Sequence, residues 1–521
     1  MNSLADKPIV ARLIALMSGV ALPFAYAPYE VRVLAVLCPA VLFWLWRHGN
    51  TRHVVLCGLL FGVGMFGAGT HWIYYSLKLF GDAIAPLATV ITGGFILWFA
   101  AYLAVLAWIL CRFFRREKNN DNNDNNVFWL IGVLPAMWSL GELFRGWFLT
   151  GFPWLSLGYS QIDTWLGGYA PVLGVYGVGW MVAMSSGALI ALVVSQNRNR
   201  CIAAVWLLAI WGGGFALKGI EWSEPAGEPI TVRMVQGNIE QHHKFMAELL
   251  EPSIERYKEL SHSDEPVDLI VWPESAIPTF FYKIDQELAD FSESMLEQGT
   301  RVLTGGFIYD RSNDRYYNSL RMLDDPDAYY HKKHLVPFGE YMPFRPLIGF
   351  LQEFITIPMS DLSSGEVGAK GLTINGHLIA PSICYEDAFG EEMIRHFPEA
   401  ALLLNVSNDS WFGDSAAPYQ HLEIARMRSL EFSRSMVRVT NTGVSAFIDS
   451  RGKIRAEIEL GEANAANVRL QPRGGQTPYL LFANKMILLI LIICLFVLWF
   501  MVGHSPIHQK CESSRVKRES V

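Results

Sequence analysis

Three short stretches carry residue types that can do covalent chemistry on a carbonyl. In "APSICYEDAFG", residues 380–390, Cys384 ends an apolar run and two carboxylates follow it at once. In "VWPESAIP" Glu274 stands just after an apolar run. In "YHKKHLVPFGEYMPF" Lys332, Lys333 and Glu340 fall close together. A thiol attacks a carbonyl as its thiolate. A nearby carboxylate can take the thiol proton and pass it to a leaving group, and an ammonium can stabilise the oxyanion that forms. Each residue also has a plain structural reading: Cys384 as core filler or half a disulfide, Glu274 as a loop acid, Lys332 as a solvated base, Glu340 as a turn residue. A helix N-terminus or an ammonium would lower the thiol pKa, whereas Glu386 and Asp387 would oppose ionisation if they point inward.

The elements that must position these residues are strands and helices in alternation. "ITVRMVQG", "DLIVWPE", "RVLTGGFIYD", "HLIAPSICYE", "ALLLNVSND", "MVRVTNTG" and "VSAFIDS" read as strands, with helical stretches such as "YQHLEIARMRSLEFSR" between several of them. This pattern predicts an α/β domain with helices packed on sheets. The polar clusters stand at the carboxyl ends of the strand-like runs, where open α/β sheets gather their ligand sites.

The rest of the chain is of another kind. Of 521 residues 51% are hydrophobic and 17% charged, against about a quarter charged in soluble proteins. The net charge of −7 offers no basic surface for nucleic acid. Residues 1–219 are apolar runs with short breaks and predict a membrane domain of seven transmembrane helices; 220–476 read as a globular domain; 477–521 hold one more apolar run and a polar tail. The eight candidate spans centre near 9–26, 31–46, 53–74, 84–111, 127–144, 169–195, 201–219 and 479–503. Basic residues near Lys7 and Arg12, Arg47 and Arg52, Arg112 to Lys118, Arg198 and Arg200, and Lys510 to Arg518 fall on one side, the cytoplasmic one. The globular domain then lies outside. Cys384 is its only cysteine, which removes an intrachain disulfide within that domain. No metal or cofactor motif is present, and His242, His243, His331 and His334 read as loop or packing residues.

"VWPE", "YHKKHLVPFGEYMPF", "SICYE" and "NVSNDSWFG" resemble the Glu-Lys-Cys motifs of the nitrilase superfamily. With the apolar spans, "LPFAYAP", "GELFRGWFLTGFPW", "VQGNI" and "QHLEIARMRSLEFSR", the whole chain is similar to the apolipoprotein N-acyltransferase family. The resemblance implies an αββα nitrilase-like sandwich outside the membrane and an all-α bundle of eight transmembrane helices. It implies Glu274 as catalytic acid/base, Cys384 as nucleophile and Lys332 as catalytic lysine, since Lys332 stands two residues before His334-Leu335. Glu340, Tyr385, Glu386 and Trp411 match supporting positions, and Phe245 stands where a Trp is expected. The implied reaction takes an sn-1 acyl chain from a phospholipid, holds it as a thioester and passes it to the amine of a diacylglyceryl apolipoprotein. It needs no cofactor and takes place at the periplasmic face of the bacterial inner membrane.

Two features beyond the motifs bear on such lipid chemistry. Residues 344–359, "FRPLIGFLQEFITIPM", read either as a buried core segment or as a membrane-dipping lid. Glu142 and Arg145, at the outer end of the fifth span, read as a pair holding the floor of the outer domain, or as a head-group site. The rival functions are a membrane-tethered amidase, for which one anchoring helix would suffice, and a transporter, which would need paired broken helices or buried charges at the midplane.

Overall fold

A backbone in lipid must satisfy its hydrogen bonds within itself, so the N-terminal apolar runs fold as helices. The computed structural model describes residues 7–114, 127–244, 246–348, 361–365 and 372–503. Its helices include Pro8–Ala21 (α1), Leu34–Trp46 (α2), Thr51–Gly69 (α3), Ala85–Ile109 (α4), Leu134–Arg145 (α5), Ala170–Val194 (α6) and Asn197–Lys218 (α7). Among the described residues, five helical stretches are long and apolar enough to cross a membrane: Pro8–Ala25, Thr51–Gly69, Ala85–Phe114, Trp165–Val194 and Asn197–Lys218. Leu34–Trp46 and Asn484–Phe500 are apolar but shorter. Small residues let these helices touch. A Cβ on Gly19 of α1 would lie 2.1 Å from the Phe61 carbonyl oxygen of α3.

The outer domain is built by alternation. Ile230–Gln236 (β1) sends Ile230, Val232 and Met234 into one apolar cluster and Val235 into another. Helix Leu250–Ser261 (α8) follows, then Leu269–Val271 (β2), helix Asp285–Glu297 (α9) and Arg301–Asp310 (β3). Arg315–Met322 (β4) and Tyr329–His331 (β5) add antiparallel strands. A second sheet takes Leu372–Ile374 (β6), His377–Ile383 (β7), Ala400–Ser407 (β8), Met436–Thr440 (β9), Ser445–Ile448 (β10) and Ile454–Ile458 (β11), with helix Ala417–Phe432 (α10) between β8 and β9. Asn464–Leu470 (β12) then returns to the first sheet beside β1.

The orders are β12-β1-β2-β3-β4-β5 and β11-β10-β9-β8-β7-β6, each with three central parallel strands. Met234, Val271 and Leu303 of the first sheet share a core with Ile383, Leu404 and Val439 of the second. Ile254 and Leu288 of α8 and α9 cover the back of the first sheet. Leu422, Ala425 and Phe432 of α10 cover the back of the second. This is the four-layer sandwich with helices outside.

Helix α10 has no solvent face: every residue but Tyr419 is buried. Its Ala417, Ile424, Met427 and Leu430 pack into the same core as the N-terminal helices. The polar side chains on it therefore make specific ties. Gln420 Oε1 accepts from Trp154 Nε1 at 2.6 Å, and Arg426 Nη2 pairs with Asp163 at 2.6 Å. Helix α6 is broken at Gly174 (φ 67°, ψ −176°), and Glu431 Oε1 accepts the neighbouring Val175 N–H at 2.6 Å. Gly174 needs both its conformation and its missing side chain, because a Cβ there would lie 2.4 Å from the Tyr479 ring. Gly174→Ala should lower the stability of the detergent-solubilised protein by about 2 kcal/mol, read as a drop in its thermal transition. Gly67→Ala, where a Cβ meets nothing within 4 Å, should leave the transition in place.

Candidate active site

The three chemical stretches end three strands. Glu274 follows β2, Lys332 follows β5 and Cys384 follows β7. Strand parity explains which lysine turns in: Tyr330 and Lys332 are buried, whereas His331 and Lys333 on the alternate side are half-buried. Lys332 is 1% exposed. Its Nζ lies 2.9 Å from Glu340 Oε1 and 3.3 Å from Glu274 Oε1, so one ammonium serves two carboxylates.

Neutral donors complete the cluster. Asn318 Nδ2, from β4, donates to Glu274 Oε1 at 2.8 Å and to Glu340 Oε1 at 3.1 Å. The Asn408 N–H donates to Glu274 Oε2 at 3.0 Å and the Val336 N–H to Glu340 Oε2 at 2.8 Å. Burial opposes the charge on Lys332, but Glu274 and Glu340 outweigh it and hold the ammonium well above its ordinary pKa. Burial and the Glu274 charge push the Cys384 thiol well above its ordinary range, with Lys332 only partly offsetting them. Cys384 thus rests as a neutral thiol beside an ionic cluster, an arrangement that suits removal of a thiol proton by a carboxylate.

A family model described as "Apolipoprotein N-acyltransferase N-terminal domain" matches residues 18–188, and one described as "Carbon-nitrogen hydrolase" matches residues 231–479. The chain is 38% identical over 475 residues to an apolipoprotein N-acyltransferase of Methylococcus capsulatus, covering 91% of this chain and 93% of that one. It is 39% identical over 489 residues to the same-named protein of Nitrosomonas europaea, covering 91% and 94%. The chain belongs to the apolipoprotein N-acyltransferase family. Among solved structures, the C. elegans NitFhit protein overlaps 51% of this chain and 65% of its own at 14% identity and a TM-score of 0.36.

Within this member of the family, Glu386 and Asp387 both turn away from the thiol. Glu386 Oε1 accepts the N–H groups of Lys333 (2.7 Å) and His334 (3.1 Å), and its Oε2 accepts the Ile383 N–H at 2.7 Å. The Tyr330 hydroxyl donates to the same carboxylate. Glu386 thus ties the loop of the lysine to the loop of the cysteine. Burial raises its pKa, partly offset by those N–H groups and by Arg395 and Lys332. Cys384 opens a short 3₁₀ turn, Cys384–Ala388, so no α-helix N-terminus aims at the thiol.

The remaining candidates sit at the junction with the helices. The Tyr385 hydroxyl donates to the Gly151 carbonyl at 3.2 Å, and Ser76 Oγ donates to the Trp411 carbonyl at 2.5 Å. Glu142 and Arg145 are not a direct pair. Glu142 Oε1 accepts from Trp138 Nε1 and the Leu157 N–H, while Arg145 donates to the Phe152 and Trp154 carbonyls and to Ser156. Both brace the loop 152–157 from opposite ends. Phe245 and residues 349–359 of the candidate lid lie outside the described residues.

Two contributors escaped the sequence reading. Asn318 is a polar residue buried within a strand, a pattern that flags a satisfied function. Lys244 donates to the Glu274 carbonyl at 3.1 Å and to Asn408 Oδ1 at 3.0 Å. Burial pushes its pKa down to about 7, partly offset by Glu274. Removing the Glu274 charge should ease ionisation of the neighbouring thiol. Glu274→Gln should therefore shift the pH midpoint of Cys384 alkylation downward, and Glu386→Gln should shift it less. Glu386→Ala leaves three backbone N–H groups unpaired, at about 1–3 kcal/mol each, and should lower the thermal transition by several degrees.

Proposed function

We propose that this protein is a ping-pong acyltransferase of the membrane, with Cys384 as nucleophile, Glu274 as general acid/base and Lys332 as oxyanion partner. In the first half-reaction Glu274 takes the thiol proton while Cys384 Sγ attacks the sn-1 ester carbonyl of a phospholipid. The tetrahedral oxyanion faces the Lys332 ammonium. The C–O bond breaks, the protonated Glu274 returns its proton to the leaving oxygen, and lysophospholipid departs from a thioester. In the second, the amine of a diacylglyceryl apolipoprotein attacks the thioester carbonyl. Glu274 takes a proton from that amine, the C–S bond breaks, and the thiolate recovers the proton. The products are an amide and the starting thiol.

One observation carries this proposal: the thiol-bearing sheet and the apolar helices share one wall, α10, which supports a carboxylate–lysine cluster that works beside a bilayer rather than in open water. A soluble amide substrate would not need that wall. In the proposed topology α2, α5 and the C-terminal helix Asn484–Gly503 (α11) complete eight spans around the five long ones. The basic residues face the cytoplasm, and the domain of residues 220–476 faces the periplasm of the inner membrane.

The full-length protein in mixed micelles with a fluorescent phospholipid should form a covalent acyl adduct. Cys384→Ala should abolish it. Glu274→Gln and Lys332→Met should slow its formation by at least about a hundredfold. Added lipopeptide with a free diacylglyceryl-cysteine amine should discharge the adduct as amide. Absence of an adduct in the wild-type protein rejects the proposal, and discharge to water alone favours an amidase or esterase.

A further inference from the structure

Behind the thiol lies a closed ring of four buried charges. Asp387, three residues after the nucleophile, accepts from His421 Nε2 at 3.0 Å and pairs with Arg438 at 3.3 Å. Asp409, after β8, accepts from His421 Nδ1 at 2.9 Å and pairs with Arg438 at 2.7 Å. All four side chains are at most 1% exposed. Both ring nitrogens of His421 face carboxylates, which only the doubly protonated imidazolium can satisfy. Two cations and two anions then sum to zero.

The ring touches the nucleophile at two points. Cys384 has φ +54°, a strained conformation for a residue with a side chain. Its carbonyl accepts from Asn405 Nδ2 at 3.2 Å and lies 3.3 Å from His421 Nε2. Asn405 also accepts from Arg438, so both holders of that carbonyl belong to the ring or lean on it. In addition, Asp409 is one of the charges that raise the thiol pKa.

We propose that His421 is a positioning residue for Cys384. It shares its Nε2–H between Asp387 and the Cys384 carbonyl, which holds the nucleophile in its left-handed turn, and its charge keeps the ring behind the thiol neutral. The inference rests on Cys384 being the nucleophile. Burial and Arg438 oppose the imidazolium, but Asp387 and Asp409 outweigh them and raise its pKa to about 9. The charge is therefore present at neutral pH and lost only as pH rises through that value. Trp154 and Phe412 pack their rings beside His421 and bring no charge.

The test is the rate of Cys384 alkylation by iodoacetamide near neutral pH, where the imidazolium is still charged, in the full-length protein in micelles, read on the Cys384 peptide by mass spectrometry. Without the imidazolium the ring carries −1 and the thiolate fraction falls, so His421→Gln should slow alkylation about tenfold. It should also slow acyl-enzyme formation about tenfold with KM for phospholipid within about twofold. Adding Asp409→Asn to His421→Gln makes the ring neutral again, and the alkylation rate should return close to wild type. A purely structural role predicts instead that the double variant is worse than either single one, and that outcome, or an unchanged rate in His421→Gln, overturns the proposal. Should His421→Gln not fold, Asp409→Asn alone decides. Its ring carries +1, so alkylation near neutral pH should speed up about tenfold, and an unchanged rate overturns the proposal. Retention of the acyl adduct in Cys384→Ala would instead refute the nucleophile assignment, which the alkylation rate does not touch.

Discussion

One buried ammonium shared by two carboxylates is the constraint on which the site depends. Lys332 reaches Glu274 and Glu340 from the end of a single strand; Lys332 and Glu274 are buried and Glu340 is only partly exposed. Burying three charges is costly unless every lone pair and proton finds a partner. Here Asn318 and the N–H groups of Asn408 and Val336 supply them. The cluster retains one excess negative charge. Burial and the Glu274 charge, only partly offset by Lys332, hold the nearby thiol protonated. In the proposed mechanism Glu274 takes that proton when a carbonyl arrives.

The second constraint is the wall formed by α10. A helix buried on every face cannot be amphipathic in the usual sense, so its polar residues must each meet a specific partner. Gln420, Arg426 and Glu431 meet the helical part of the chain through Trp154, Asp163 and the backbone N–H freed at the Gly174 break. His421 meets the Cys384 carbonyl. One element therefore sets the distance between the thiol and the apolar helices. Tyr385 and Trp411 add two further hydrogen bonds across the same seam. An arrangement of this kind suits a reaction in which both acyl donor and acceptor remain anchored in lipid.

Much of this was legible in the sequence. Alternating runs gave the strands, and Glu274, Lys332 and Cys384 stand at strand ends because strand ends are where the runs turn polar. Lys332 was set apart from Lys333 by the resemblance, through its place two residues before His334-Leu335, and strand parity in the fold turns Lys332 inward. Glu386 was not: in a 3₁₀ turn side-chain direction follows no two-residue alternation, and only the fold shows its carboxylate receiving backbone N–H groups from two loops. The ring of Asp387, Asp409, His421 and Arg438 was equally hidden, because its members come from four separate elements and no spacing joins them. Its trace was the polar residues buried in β8, β9 and α10, such as Asn405, Arg438 and His421, at positions that packing alone would fill with apolar side chains. Glu142 and Arg145 were recognisable as buried charges at a helix end. Their partners are backbone carbonyls, an N–H and Ser156 of one loop, and Trp138 of their own helix, rather than each other, which charge complementarity does not predict.

Strain explains why so much polarity is buried. Ser275, Cys384 and Asp409, each at or beside a residue of the site, have φ of 48°, 54° and 52°. Such conformations cost of order 1 kcal/mol or more each and persist only when their surroundings over-determine them. Apolar packing is too permissive to do so, since it fills volume without fixing a carbonyl's direction. Hydrogen bonds from buried side chains fix direction. Glu386 holds the N–H before Cys384, Asn405 and His421 hold the carbonyl after it, and Ser407 and Arg438 hold the Asp409 carboxylate. An apolar core of equal volume can be more stable, but it would let the turn at Cys384 relax. The polar interior is therefore best understood as the means by which a strained Cys384 keeps its place.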